Sequence, residues 1–145
     1  MSLTPGELQF IADHHTAAII TVDENAVPKP VRIDYAIIDG KIWSSGTQTR
    51  VRTRRLRKDP SATLFIWDPV FDFLSVRTTV TILDGPDAPE LNLRYFRVLK
   101  GTPEGPLTWM GKGEFDDDGF RAQMVADQRL IYQFEPISAY GNREF

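Results

Sequence analysis

Apolar and polar residues alternate with two different periods along this chain, and the changes of period mark its elements. Thr4-Pro5-Gly6-Glu7 places a capping threonine, a proline at the first helical position and a glutamate three residues after the cap. A short helix should open there, with Leu8, Ile11 and Ala12 on one face and an end near His14. TAAIITV (16–22), KPVRIDYAII (29–38) and KIWSS (41–45) are rich in β-branched residues and are separated by Asp23 to Asn25 and by Asp39-Gly40. That pattern predicts successive antiparallel strands joined by short turns. SATLFIWDP (61–69) and FDFLSVRTTVTILDG (71–85) read as two more strands. Asp87-Ala88-Pro89-Glu90 repeats the capping logic, and Leu91, Tyr95, Val98 and Leu99 follow at helical spacing as far as Gly101. The Pro- and Gly-rich segment from Thr102 to Gly113 predicts a loop. Acidic residues Glu114 and Asp116 to Asp118 then lead into a short helix, FRAQMVADQ, and RLIYQFEPISAYG (129–141) is a last strand that bends at Pro136.

About six antiparallel strands with a few short flanking helices predict a mainly β fold, a closed or nearly closed barrel, because closure removes exposed strand edges. The core is expected from Ile20, Val22, Ile33, Ile37, Ile42, Leu64, Ile66, Val76, Val80, Ile82, Ile131 and Phe134. With 145 residues, 41% of them hydrophobic, the chain suffices for one substantial core, so residues 1–145 are read as a single domain. No apolar run approaches the ~20 residues of a membrane span. The N-terminus also lacks a basic segment followed by an apolar stretch, so a soluble, cytoplasmic protein with no membrane contact is expected. The chain has no cysteine, which excludes disulfides, thiolate catalysis and Cys-based metal centres. The two histidines, His14 and His15, have no partner set at ligand spacing, and no metal site is expected.

The densest chemistry lies in SSGTQTRVRTRRLRKDP (44–60), where a small-residue turn runs into a basic helix that Asp59-Pro60 stops. Six of the nine positions from Arg50 to Lys58 are Arg or Lys. Arg50, Arg54 and Arg57 fall at i, i+4, i+7 and Arg52 and Arg55 at i, i+3, so like charges repel by a few tenths of a kcal/mol per pair. Arg50 and Arg52 also stand near the helix N-terminus, where cations are disfavoured by roughly 0.3–1 kcal/mol each. Free N–H groups, a positive dipole end and guanidinium forks together suit a phosphate or carboxylate. A solvated basic face or a loose nucleic-acid contact is the competing reading. Against a broad nucleic-acid surface, the net charge is −3, so the basic cluster is an island in an acidic protein.

The order of these segments resembles the FMN-binding split-barrel superfamily, and more narrowly the pyridoxamine 5′-phosphate oxidase-like group that includes deazaflavin-dependent (F420) reductases. The residues that carry the resemblance are Val27-Pro28-Lys29-Pro30-Val31 leading into IDYAII, Asp39-Gly40-Lys41-Ile42-Trp43, Arg52-x-x-x-Leu56-Arg57-Lys58-Asp59-Pro60, Ser75-Val76-Arg77 and FRAQMVADQRLIYQFEPISAYG. It implies a six-stranded antiparallel split barrel with F420 or FMN bound between two protomers of a homodimer. By this resemblance a basic pair at the start of the helix grips the coenzyme phosphate. Its second member matches Arg52, while Val51 stands at the first, with Arg50 beside it. The family often has Asn where Arg55 stands and Gly where Thr78 stands, and Arg55 is taken with Arg50 and Arg52 as a coenzyme-binding candidate. The strand through Pro30, Val31, Arg32 and Ile33 and the side chains of Ser44, Ser45 and Thr47 would lie along the ring. Trp67, Arg77 and Trp109 are candidates for the wall that the second protomer supplies. Trp67 reads more readily as core or dimer packing, Arg77 equally as an ion-pair residue in the sheet, and Trp109, in the Gly- and Pro-rich loop, as a cover for substrate, a disordered residue or a contact with the partner.

The implied activity is hydride transfer to or from a small conjugated or carbonyl-bearing substrate, a step for which the coenzyme carries the chemistry. No catalytic residue is assigned, in keeping with the lack of a nucleophilic triad or paired carboxylates in the sequence. The alternative is a non-catalytic flavin or haem carrier on the same barrel. A nucleic-acid partner is not expected.

Overall fold

The computed structural model describes residues 2–145. In chain order the elements are α1 (Pro5–Ala12), β1 (Thr16–Val22), β2 (Pro28–Asp34), β3 (Ala36–Ile38), β4 (Lys41–Thr47), α2 (Val51–Lys58), β5 (Ser61–Trp67), β6 (Phe73–Leu83), α3 (Ala88–Leu99), β7 (Leu107–Thr108), β8 (Glu114–Phe115), α4 (Asp117–Ala126) and β9 (Arg129–Gly141). Seven strands form one antiparallel sheet in the order β2-β1-β5-β6-β9-β4-β3, and β7 and β8 make a separate ribbon. The mainly β, split-barrel class read from the sequence holds, with seven strands where six were expected.

The extra strand arises because the segment 29–38 breaks at Tyr35. The Tyr35 amide donates to the His15 carbonyl at 2.8 Å, and its buried hydroxyl donates to the Ile11 carbonyl at 2.7 Å. The chain therefore leaves one edge of the sheet as β2 and joins the opposite edge as β3, which curls the sheet on itself. Ser44 Oγ donates to the Asp34 carbonyl at 2.6 Å and ties β4 to the end of β2 across this seam.

Two apolar layers result. Inside the curl lie Ile19, Ile33, Leu64, Ile66, Val76, Val80, Tyr132 and Phe134. Outside it, α3, α4 and the β7–β8 ribbon cover β3, β4 and β9 with Trp43, Tyr95, Phe96, Leu107, Trp109, Phe120 and Ile131. The segment 102–113, expected to be a loop, holds β7 and buries Leu107 and Trp109, because these apolar side chains cover the outer layer. On β1 the expected inward face is off by one residue. Ala17, Ile19 and Thr21 are buried, while Ile20 is half-buried and Val22 exposed. TAAIITV is apolar on both faces, so alternation does not fix its register there. Ile37 and Ile82 are partly buried at the edge of the core. In β9 the pairing with β6 shifts between Arg77 and Thr78, where Ile137 follows Pro136, matching the expected bend. Among the described residues no helix is long and apolar enough to cross a membrane.

The first turn of α2 is fixed by a buried hydroxyl pair. Thr53 Oγ1 donates to the Thr47 carbonyl at 2.7 Å and is also bonded to the Tyr132 hydroxyl, which is therefore the donor in that pair. Tyr132 reaches it by crossing Gly46, where an added Cβ would lie 2.5 Å from the phenol ring. Thr53→Val keeps the shape but leaves the Tyr132 hydroxyl without its acceptor and the Thr47 carbonyl with only the longer bond from the Arg50 amide, at 3.4 Å. Urea unfolding should show a loss of about 1–3 kcal/mol, and Thr53→Ser should recover most of it.

Candidate functional site

Arg50 is the N-cap of α2, with extended backbone and no side-chain hydrogen bond to the first turn. A guanidinium has no acceptor, so this helix start lacks the oxygen that Thr4 and Asp116 supply to α1 and α4. Helical geometry then sorts the basic run. Arg54 donates to the Thr49 carbonyl at 3.2 Å in an exposed contact. At the β1–β2 turn the Val27 amide chiefly holds the Asp23 carboxyl below its usual range, with Lys29 and then Arg55 adding to the effect. Arg57 is committed to Asp84 at 2.8 Å and Gln48 at 2.6 Å, and its hydrogen bond lowers the Asp84 carboxyl. Of this run, only Arg50 and Arg52 face a cavity of about 220 Å³ at the seam between β4, α3 and the start of β9.

Arg32, Ile33, Ser44, Ser45, Arg50 and Arg52 converge on that cavity. Thr47 lines an adjoining groove of about 610 Å³ that shares Arg50, Trp109, Met110 and Arg129 with it and adds Thr49 and Lys112. Pro30 and Val31 lie farther along β2, exposed and outside the cavity lining. Arg55 does not line it either. Trp67 and Arg77 belong to another face. Arg77 lines a groove of about 410 Å³ with Phe65 and Tyr140, and Trp67 stacks beside Phe65 with ring centroids 6.0 Å apart. Trp109, expected to lie over the site from a loop, instead forms part of its wall and is buried.

The polar floor of the cavity is saturated. Ser44 and Tyr95 both donate to the Asp34 carbonyl, at 2.6 and 3.1 Å. Ser45 donates to Asn92 Oδ1 at 2.6 Å, and Asn92 Nδ2 donates to the Ala88 carbonyl at 3.0 Å. Burial raises the pKa of the Tyr95 phenol, which keeps its proton as a donor. Phe96 and Leu99 of α3 and Met110 at the ribbon tip give the opposite side an apolar surface.

What is left without partners is positive. The Nε atoms of Arg52 and Arg129 are both buried and make no hydrogen bond. Burial lowers the pKa of each guanidinium, and Arg50 and Arg52 lower that of Arg129 further. Arg52 lies over the Tyr132 ring at 5.8 Å and Arg129 over the Trp109 ring at 4.9 Å. Sequence reasoning did not find Arg129, Tyr95, Asn92 or Met110. Asn92 carried a signal, as a polar residue on the same helical stripe as Leu93, Tyr95 and Phe96, all buried. Arg129 carried none, being one charge at the start of a strand.

No protein-family model matches the chain, and no curated protein matches it. Solved structures do. An F420 reductase is 18% identical with a TM-score of 0.67, the match covering 95% of this chain and 98% of that one. A putative pyridoxamine 5′-phosphate oxidase from Listeria innocua is 11% identical with a TM-score of 0.65, covering 94% and 95%. A heme binding protein from Mycobacterium smegmatis is 10% identical with a TM-score of 0.64, covering 97% of this chain and 55% of that one. The chain therefore has the split-barrel fold shared by pyridoxamine 5′-phosphate oxidase-like proteins.

An arginine N-cap against a cationic cavity sacrifices stability. Replacing Arg50 with Asn supplies a capping oxygen and removes repulsion, so Arg50→Asn should raise the unfolding free energy of the ligand-free protein by about 0.5–2 kcal/mol in urea titrations.

Proposed function

We propose that this chain binds a phosphorylated flavin-type coenzyme, deazaflavin F420 or FMN, and with it transfers hydride to or from a small conjugated or carbonyl-bearing substrate. The observation that supports this reading is that Arg52 and Arg129, whose buried guanidinium Nε atoms have no hydrogen-bond partner, line one cavity together. Buried donors of this kind fit an oxyanion with several acceptor sites, as a phosphate has. The bound coenzyme would supply the hydride chemistry. Arg50 and Arg52 would hold its phosphate, Ser44 and Ser45 lie on strand β4 where a ring edge would run, and Arg32 with Ile33 flanks that edge. The F420 reductase among the structural neighbours supports the same reading.

The choice between the two coenzymes turns on how far positive charge extends. Arg57 is tied to Asp84, so the outer face of α2 contributes less than its composition suggests. Arg50, Lys112 and Arg129 instead line the adjoining groove and outnumber its one carboxylate, Asp127, which suits a longer anionic tail and favours the deazaflavin. Haem is the weaker reading, since neither histidine lines the cavity and the donors facing it are arginines.

The coenzyme site would be completed by a second copy of the chain. Phe65 stacks with Trp67 at 6.0 Å and with Phe73 at 5.2 Å, Trp67 is exposed, and Phe65 shares a groove with the exposed Tyr140. A contiguous aromatic face of this kind marks an association surface, and a homodimer through it would bring Trp67 and Arg77 of one protomer toward the other.

Titration of the purified protein with F420 and with FMN, followed by absorbance, tests the assignment. Saturable binding is expected, weakened about 10- to 100-fold by Arg52→Ala and less than about twofold by Lys58→Ala. Failure of both coenzymes to bind would refute it, and binding without electron transfer to quinones, enones or tetrapyrroles would favour a carrier.

A further inference from the structure

Of the four guanidiniums that line the cavity, Arg32 is paired with Asp34 at 3.7 Å, Arg50 and Arg52 come from the start of α2, and the fourth comes from the first residue of β9. Among the ion pairs of the described residues none involves Arg50, Arg52 or Arg129. We propose that Arg129 is an anion-binding residue, which with Arg50 and Arg52 makes a three-guanidinium seat for a phosphoryl group, and that Trp109 and Asp127 are its positioning residues. This deepens the coenzyme reading and rests on it for the identity of the natural ligand. The seat itself is defined by the side chains alone.

The support for Arg129 is built in a chain of contacts. Its guanidinium lies 4.9 Å from the centre of the Trp109 ring. The Trp109 indole N–H donates to Asp127 Oδ2 at 2.8 Å, and Gln123 Nε2 donates to Asp127 Oδ1 at 2.8 Å. Each carboxylate oxygen thus has a donor of its own, and Asp127 tempers the charge of Arg129 without a hydrogen bond to it. Trp109 in turn rests edge-on against Phe96 and Phe120, at 4.8 and 5.6 Å, so it has a fixed orientation. A guanidinium held over a fixed indole is restrained in position, and its fork can offer a tetrahedral oxyanion several donors at once.

The ligand class follows from the charge. Three guanidiniums without an ion pair are more than one carboxylate neutralises, and the shared groove sets Lys112 against its single carboxylate, Asp127. A phosphate monoester or a diphosphate carries the matching charge and number of acceptors.

Calorimetric titration with inorganic pyrophosphate, at ionic strength held constant with sodium chloride, tests the seat without any coenzyme. Saturable binding is expected in the wild-type chain, weaker by at least about tenfold in Arg129→Gln and only partly restored in Arg129→Lys, which keeps the charge and loses the fork. Arg57→Gln should bind as the wild type does, because that guanidinium serves Asp84. Should Arg129→Gln fail to fold, Trp109→Phe carries the test: it keeps an aromatic surface, loses the bond to Asp127 and should still weaken pyrophosphate severalfold. Wild-type pyrophosphate affinity in the folded Arg129→Gln variant, or in Trp109→Phe where that variant does not fold, would overturn the proposal, as would equal weakening in Arg57→Gln. Pyrophosphate binding through Arg129 with no binding of F420 or FMN would leave the seat standing and remove the coenzyme reading. Coenzyme binding unaffected by Arg129→Gln would do the reverse.

Discussion

The place where α2 begins is set by one buried contact, the Tyr132 hydroxyl on Thr53, and the disposition of Arg50 and Arg52 at the cavity follows from it. Tyr132 stands in the barrel interior on β9, and its ring passes over Gly46 on β4, the strand that feeds the helix. Thr53 sits one residue beyond Arg52, so the same bond that anchors the helix to the barrel directs the Arg52 guanidinium over the Tyr132 ring. β9 contributes Tyr132 and, three residues earlier, Arg129. A single strand therefore positions both sides of the cationic cavity, one through the core and one directly.

This arrangement accounts for the tolerance of unfavourable charge. Elsewhere in the chain arginines find carboxylates: Arg57 with Asp84, Arg94 with Asp39, Arg97 with Asp117 and Arg143 with Asp72. Around the cavity the nearby acceptors are already satisfied by Ser44, Ser45, Tyr95, Asn92, Trp109 and Gln123. The guanidinium groups are left desolvated in part and close to one another, which weakens the folded state and strengthens any interaction with an incoming anion, since both effects grow as the local dielectric falls. The phosphate-binding reading and the repulsion are two consequences of the same geometry.

Much of the fold was legible because alternating strands, short polar turns and two capping boxes or Pro starts state their boundaries locally. The inner face of β1 was not legible, since TAAIITV offers apolar residues to both sides and its register is chosen by β2 and β5. Nor was the break at Tyr35, whose cause is a hydroxyl reaching back to Ile11. At the site, the sequence pointed to Arg50 and Arg52 through their cost to the helix and named Arg55, which does not line the cavity, but gave no sign of Arg129, which enters only through the pairing of β9 with β4. Local patterns reveal residues that violate local rules. Groups brought together by sheet topology leave no such mark.

The central claim is that the Arg52 and Arg129 Nε–H groups are held unpartnered for an anionic ligand. The most direct measurement is the arginine Nε–H region of a proton–nitrogen correlation spectrum, recorded during titration with F420 and with FMN. The account predicts that the Arg52 and Arg129 signals move and become protected from solvent exchange at saturation while that of Arg57 stays in place. Unmoved Arg52 and Arg129 signals at saturation, or equal movement of all three, would contradict it.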